Sequence, residues 1–206
     1  MKVLAAFAHP DDESLGCGGT LAKYAEQGHE VRILIATSGR ADNHDNAKAL
    51  HRAANILGAS AVTLHWPDQA LDSVMLIHIN RSVERLVESF KPEIVFTHHQ
   101  DLNRDHQIVR EAVLVATRPQ SGVKRVLACE IPSSTEVMGG FDPNVFEVLT
   151  ERHLYLKCKA LQEYGPEARP FPHGRSTEAL SSLAMWRGVA CGEGLAEAFT
   201  LVREIR

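Results

Sequence analysis

Apolar and polar positions along the chain fall into short runs of two kinds that alternate from one end to the other. Residues 3–8 are apolar throughout, the pattern of a strand covered on both faces. Over residues 14–27 the apolar positions recur at helical spacing until Gly28 stops them, and 31–37 is again a mainly apolar strand, interrupted by Arg32. This is a strand–helix–strand unit, which joins parallel strands. The same reading predicts a helix over 47–57 ended by Gly58, a strand at 62–64, and a helix from about 73 to 90. After Pro92 comes a strand at 94–97, then a helix over 107–117 and a strand over 125–131. Residues 150–164 and 177–187 read as helices and 198–202 as a last strand. The Pro/Gly-rich stretch 165–174 between the two helices is long enough to cover an active site. Persistent alternation of strand and helix predicts an α/β fold with an open, mostly parallel sheet.

Length and charge narrow the function. A chain of 206 residues with no repeat and no low-complexity segment fits one domain, residues 1–206. A net charge of -4 without any Lys/Arg block argues against nucleic acid as a partner. No segment approaches the ~18 apolar residues that span a bilayer, so membrane insertion is not expected. The apolar start is too short for a signal peptide and runs directly into a candidate ligand, His9, which leads us to expect a cytoplasmic protein. Cys17, Cys129, Cys158 and Cys191 have no paired spacing and are expected to be reduced.

The chemistry is concentrated where two of the predicted strands end. His9-Pro10-Asp11-Asp12-Glu13 follows the first strand, and Asp101-Leu102-Asn103-Arg104-Asp105-His106 follows the strand at 94–97. In open α/β sheets, sites form beyond the carboxyl ends of neighbouring strands, so topology would bring the two segments together. An imidazole and carboxylates packed this closely repel or desolvate one another unless a cation sits among them. Helix capping alone would account for the acids but leaves His9 unexplained. His9, Asp12 and His106 would give zinc two nitrogens and one oxygen and leave a position open for water, with Asp11 turned to that water as general base. Iron(II), cobalt or manganese can take similar ligands. Gly16-Cys17-Gly18-Gly19 is not the dinucleotide fingerprint, and neither a phosphate loop nor a G-x-S-x-G elbow occurs.

These two segments, with Gly16 to Thr20 after the first, resemble the LmbE/PIG-L family of zinc-dependent N-deacetylases. Weaker likeness extends through Glu130-Ile131-Pro132-Ser133-Ser134-Thr135-Glu136, Arg175-Ser176 through Trp186-Arg187-Gly188, and Ala196-Glu197-Ala198-Phe199. The resemblance implies a single-domain Rossmann-like three-layer α/β/α sandwich with a mostly parallel sheet. It also implies His9, Asp12 and His106 as ligands of Zn2+ and Asp11 as base. The implied activity is removal of the N-acetyl group from an N-acetylglucosamine-type sugar or sugar conjugate. Self-association into a homo-oligomer is compatible with the likeness.

In one respect the chain departs from that pattern. Many members carry a histidine three residues before the last ligand, able to stabilise the oxyanion or donate a proton; here the position is Asn103, which donates a hydrogen bond but is no acid. His98 or His99 could take part of that role, or be strand-end residues bonded to backbone. Asp105 could orient a neighbouring side chain and Asp101 fix the loop, or both could cap turns. Arg40 and Asp68 stand in loops on the predicted active face and are candidates for binding sugar hydroxyls, with a solvated surface charge as the alternative for each. His173 in the covering loop could reach the substrate, and Trp66 could either stack on a sugar or be buried. Two other functions remain open to this sequence: a metal- or ligand-binding protein without turnover, and a hydrolase of a different amide or ester.

Overall fold

The computed structural model describes residues 1–39 and 46–206, with only the backbone of Met138. Arg40 lies outside the described residues. The chain runs β1 (Lys2–Phe7), α1 (Asp12–Glu26), β2 (Glu30–Thr37), α2 (Asn46–Ile56), β3 (Ser60–Trp66), α3 (Leu76–Phe90), β4 (Ile94–His98) and α4 (Arg104–Ala116). It continues through β5 (Arg125–Cys129), α5 (Thr135–Met138), β6 (Val145–Val148), α6 (Glu151–Gln162), α7 (Thr177–Cys191) and β7 (Ala196–Glu204). Among the described residues, no helix is long and apolar enough to cross a membrane.

The strands form a seven-stranded sheet in the order β3-β2-β1-β4-β5-β7-β6. β1 to β5 are parallel, and β7 and β6 add an antiparallel edge. Side chains alternate faces along each strand, and the core divides accordingly. Val3, Ala5 and Phe7 of β1 pack with α1, α2 and α6 on one face, whereas Leu4 and Ala6 pack with α3 and α4 on the other. This is the α/β single domain with a mostly parallel sheet that the sequence predicts, arranged in three layers.

The structure departs from the sequence reading in two places. β6 and the short α5 fall within residues 132–149, where no element is predicted. A four-residue edge strand, Val145-Phe146-Glu147-Val148, carries too little apolar run to be distinguished from loop. The other departure is in α1, which breaks at Cys17 (φ -145°, ψ 16°). Glu197 of β7 accepts hydrogen bonds from the N–H groups of Gly19 (3.0 Å) and Thr20 (2.7 Å) just past the break. Its charge is met by the Lys157 ammonium of α6, which also donates to the Leu15 carbonyl at 2.8 Å. A Cβ at Gly19 would come within 2.6 Å of Leu149, which explains the glycine there.

Because β1 and β4 are neighbours at the point where the strand order reverses, their carboxyl ends open onto one crevice. His9 to Asp12 leave β1 into it, and Asp101 to His106 leave β4.

Candidate metal centre and active site

Three lone-pair-bearing atoms converge at the floor of that crevice. His9 Nδ1 lies 3.0 Å from His106 Nε2. Asp12 Oδ2 lies 3.3 Å from the first and 3.4 Å from the second. Asp12 Oδ2 also accepts the His9 backbone N–H at 2.8 Å, while Oδ1 is buried with no hydrogen-bond partner among the described residues. Each imidazole has a carboxylate at its outer nitrogen. Asp101 Oδ2 is 2.7 Å from His106 Nδ1, and Asp105 Oδ2 is 3.2 Å from His9 Nε2.

This arrangement tests whether the residues suit a metal ion. With the outer nitrogens donating to Asp101 and Asp105, the inner nitrogens turn to each other and to Asp12, an assembly that requires positive charge between them, as a proton or as a metal ion. Two imidazole nitrogens and one carboxylate form a donor set that divalent transition metals accept. The electrostatics demand the same. Burial by itself would lower the His9 imidazole, but hydrogen bonds to Asp105 and Asp12, with the charges of Asp12 and Asp68, overcome it and raise its pKa to about 10. Burial would raise Asp12, yet the imidazoles of His106, His9 and His98 hold its carboxyl far below the usual range. The surrounding carboxylates thus favour positive charge at this point. His9, Asp12 and His106 therefore fit a metal ion.

The turn between the strand and α1 separates the two aspartates. Asp12 points inward to the imidazoles, whereas Asp11 occupies the left-handed region (φ 113°) and lines the cavity. Its N–H donates to Glu13 Oε2 at 3.2 Å. Glu13 is itself held through Oε1 by the hydroxyls of Ser14 (2.6 Å) and Tyr164 (2.7 Å). On the other side, Asp11 Oδ2 accepts from Arg175 Nη1 at 2.8 Å. Burial raises the Asp11 carboxyl well above its ordinary range, against the opposing charge of Arg175.

Around this floor opens a cavity of about 810 Å³, lined by His9, Pro10, Asp11, Asp68, Gln69 and Asn103, and closed by the covering loop through Glu167, Arg169, His173 and Arg175. Its size falls in the range of small-molecule sites. Asn103 is the N-cap of α4, and its Oδ1 accepts from the N–H groups of Asp105 (2.9 Å) and His106 (3.4 Å). That assignment leaves its amide NH2 as the group available to the cavity.

The other residues singled out in the sequence sort by position. Asp68 Oδ1 sits 3.2 Å from His9 Nε2, at the edge of the cluster and on the cavity wall. Asp105 lies behind His9 and is also tied to the backbone N–H groups of Gln69 (2.8 Å) and Leu71 (3.1 Å). His98 does not line the cavity. It is fully buried, stacked on His106 with ring centroids 3.9 Å apart, and its Nε2 accepts the Ala8 N–H at 2.9 Å. Burial lowers its pKa well below the ordinary value. His99 packs edge-on against Phe141, outside the cavity. Trp66 packs against the core on the face of the sheet covered by α3 and α4.

Sequence reasoning passed over Gln69, Ser133, Glu167 and Arg175 as cavity residues. Gln69 and Ser133 sit in loops whose paths only the tertiary structure supplies. Arg175 carried a faint signal, standing at the end of the loop expected to cover the site. Of the weaker motifs, Ser133 and Arg175 reach the cavity, and other members serve the packing of the fold. Glu130 binds Arg187 through two hydrogen bonds (2.8 and 2.7 Å), and Glu197 splints α1.

The chain was compared with known proteins. It is 30% identical over 177 residues to an uncharacterized deacetylase, YaiS, of Escherichia coli, covering 79% of this chain and 89% of that one. Its fold superposes on the N,N'-diacetylchitobiose deacetylase of Pyrococcus horikoshii with a TM-score of 0.79 at 20% identity, covering 98% and 83% of the two chains. It superposes equally well, with a TM-score of 0.79 at 18% identity and 100% and 97% coverage, on GalB, a 4-carboxy-2-hydroxymuconate hydratase of Pseudomonas putida. Shape alone therefore identifies the fold and not the bond cleaved. The family model for GlcNAc-PI de-N-acetylase (PIG-L) matches residues 4–117, the stretch from β1 to the end of α4 that contains both halves of the site. The chain belongs to the PIG-L family of LmbE-like de-N-acetylases.

Proposed function

We propose that this protein is a zinc-dependent hydrolase that removes the acetyl group from the nitrogen of a small N-acetylglucosamine-type sugar or sugar conjugate. The observation that carries this reading is the placement of Asp11 on the wall of a polar cavity, beside the converging atoms of His9, Asp12 and His106. All the lining residues except Pro10 and Gly39 carry polar side chains, which suits a hydroxylated ligand with a short acyl group better than a lipid chain. Relatives named as deacetylases of diacetylchitobiose support the sugar.

Held by His9, Asp12 and His106, a divalent metal supplies Lewis-acid polarisation of a carbonyl and acidification of water. Asp11 takes the proton from the attacking water and returns it to the amine as the C–N bond breaks, leaving acetate and a free amino sugar. Asn103 donates its amide N–H to the acyl oxygen as negative charge develops there. Asp101 and Asp105 keep the His106 and His9 rings in the orientation that turns their inner nitrogens to Asp12. From its buried position His98 supports the site as a packing partner of His106, not as an acid. Asp68 and Gln69 line the same cavity and face the sugar.

Acetate release from a panel of N-acetylated amino sugars, beside chromogenic phosphoesters, tests the reading. Release of acetate supports it, and release of phosphate without acetate overturns it. The role of Asn103 has its own test, because Asn103→Asp keeps the capping oxygen and removes the donor. We expect stability to change little and kcat to fall by roughly 100- to 1,000-fold. Asn103→His should retain more activity than Asn103→Asp, since imidazole restores a donor. Equal kcat for Asn103→Asp and wild type would remove Asn103 from the mechanism.

A further inference from the structure

The matched family region ends at residue 117, yet a side chain from far beyond it touches the proposed base. Arg175 stands at the end of the covering loop, immediately before Ser176, the N-cap of α7. Its guanidinium is anchored at three points. Nη1 donates to Asp11 Oδ2 at 2.8 Å and to Glu167 Oε2 at 3.2 Å, and Nε donates to Ser133 Oγ at 3.1 Å. Its backbone N–H donates to His173 Nδ1 at 3.1 Å, which stiffens the loop at that residue. The side chain thus ties the segment after β5, the covering loop and the turn after β1 to one planar group.

We propose that Arg175 is a positioning residue for the reaction: by clamping Oδ2 of Asp11 it leaves Oδ1 as the oxygen presented to the attacking water. The proposal rests on the reading of Asp11 as general base. A carboxylate held at its backbone alone rotates about its last torsion and offers either oxygen at random. A charge-assisted hydrogen bond to one oxygen removes that freedom, and correct orientation is worth large factors in rate. The backbone of Asp11 is fixed from the opposite side by Glu13, so side chain and main chain are restrained independently. Among the described residues, no donor contacts Oδ1. Arg175 has a fork of donors that a lysine lacks, and only such a fork reaches Asp11, Glu167 and Ser133 together.

A loop latch with no part in the reaction would use the same contacts, so the test must separate the two. kcat and KM for acetate release are measured for Arg175→Ala and Arg175→Lys, in the wild-type and Asp11→Asn backgrounds, with a substrate that the wild type turns over. We expect Arg175→Ala to lower kcat roughly tenfold to a hundredfold with KM little changed. Guanidinium chloride below denaturing concentration should restore part of the lost rate. In the Asp11→Asn background the same change should cost nothing further, because a residue that acts through Asp11 has nothing left to position. If the alanine variant does not fold, Arg175→Lys keeps the charge and loses the fork, and the same comparison is made with it. A raised KM, additivity with Asp11→Asn and absence of rescue would overturn the proposal. Full kcat in Arg175→Ala, with Asp11→Asn inactive, overturns the proposal alone. An active Asp11→Asn overturns the base and the proposal with it.

Discussion

Asp11→Asn is expected to lower acetate release by about 100- to 10,000-fold, the range associated with loss of a general base, while the protein keeps its fold and its metal content. Each half of that expectation has a structural reason. Asparagine tolerates the left-handed backbone that Asp11 occupies (φ 113°) and retains an oxygen to accept from Arg175. The contacts that converge on Asp12, from His9 and His106, do not involve Asp11, so metal affinity should persist. What disappears is an oxygen able to take a proton. Circular dichroism, metal content and kcat measured on one preparation check all three. Loss of metal in this variant would mean that Asp11 is a ligand, and an unchanged rate would mean that the base lies elsewhere.

The largest expected effect on stability lies away from the cavity, at Glu197→Gln. Glu197 and Lys157 are 5% and 3% exposed, and they face each other in the core between β7 and α6. Gly19 and Thr20 donate to different oxygens of Glu197, so glutamine keeps an acceptor for only one of them and leaves the Lys157 ammonium buried without a counter-charge. Breaking a buried pair in this way costs about 3–5 kcal/mol. Denaturant unfolding should show a lower midpoint at constant m, and Lys157→Met in the same chain should recover part of the loss. A midpoint within error of wild type would mean that water reaches Lys157 and the pair is not a splint. Because Glu197 holds α1 just past its break, this pair connects the distant edge of the sheet to the helix that begins at Asp12.

Much of this was legible in the sequence, for identifiable reasons. The central parallel strands β1 and β4 are mainly apolar runs buried on both faces, and glycines or a proline mark the ends of several intervening helices, so β1 to β5 and the helices between them stand out. The floor of the site was readable because its residues crowd into two short segments at strand ends, and one topological rule joins them. The covering wall was not. Gln69, Ser133, Glu167 and Arg175 are scattered over more than a hundred residues, and no local spacing relates them. For Asp105 and Asp101 the sequence leaves a supporting role and turn capping both open, because which side chain each one meets depends on helix phase after Asn103. His98 could not be separated from a cavity residue by sequence, since a strand-end histidine points to either face. The antiparallel edge was half visible: the middle of β7 reads as a strand at 198–202, while the four residues of β6 do not.

The account stands most directly on one titration. Protein stripped of metal by a chelator is reloaded with zinc in steps, and metal content and acetate release are measured on the same samples. The rate should rise from near zero in proportion to occupancy and level off at one ion per chain, with His106→Ala failing to load. Full acetate release by the stripped protein, or none by the fully loaded protein from any N-acetylated amino sugar, would contradict it.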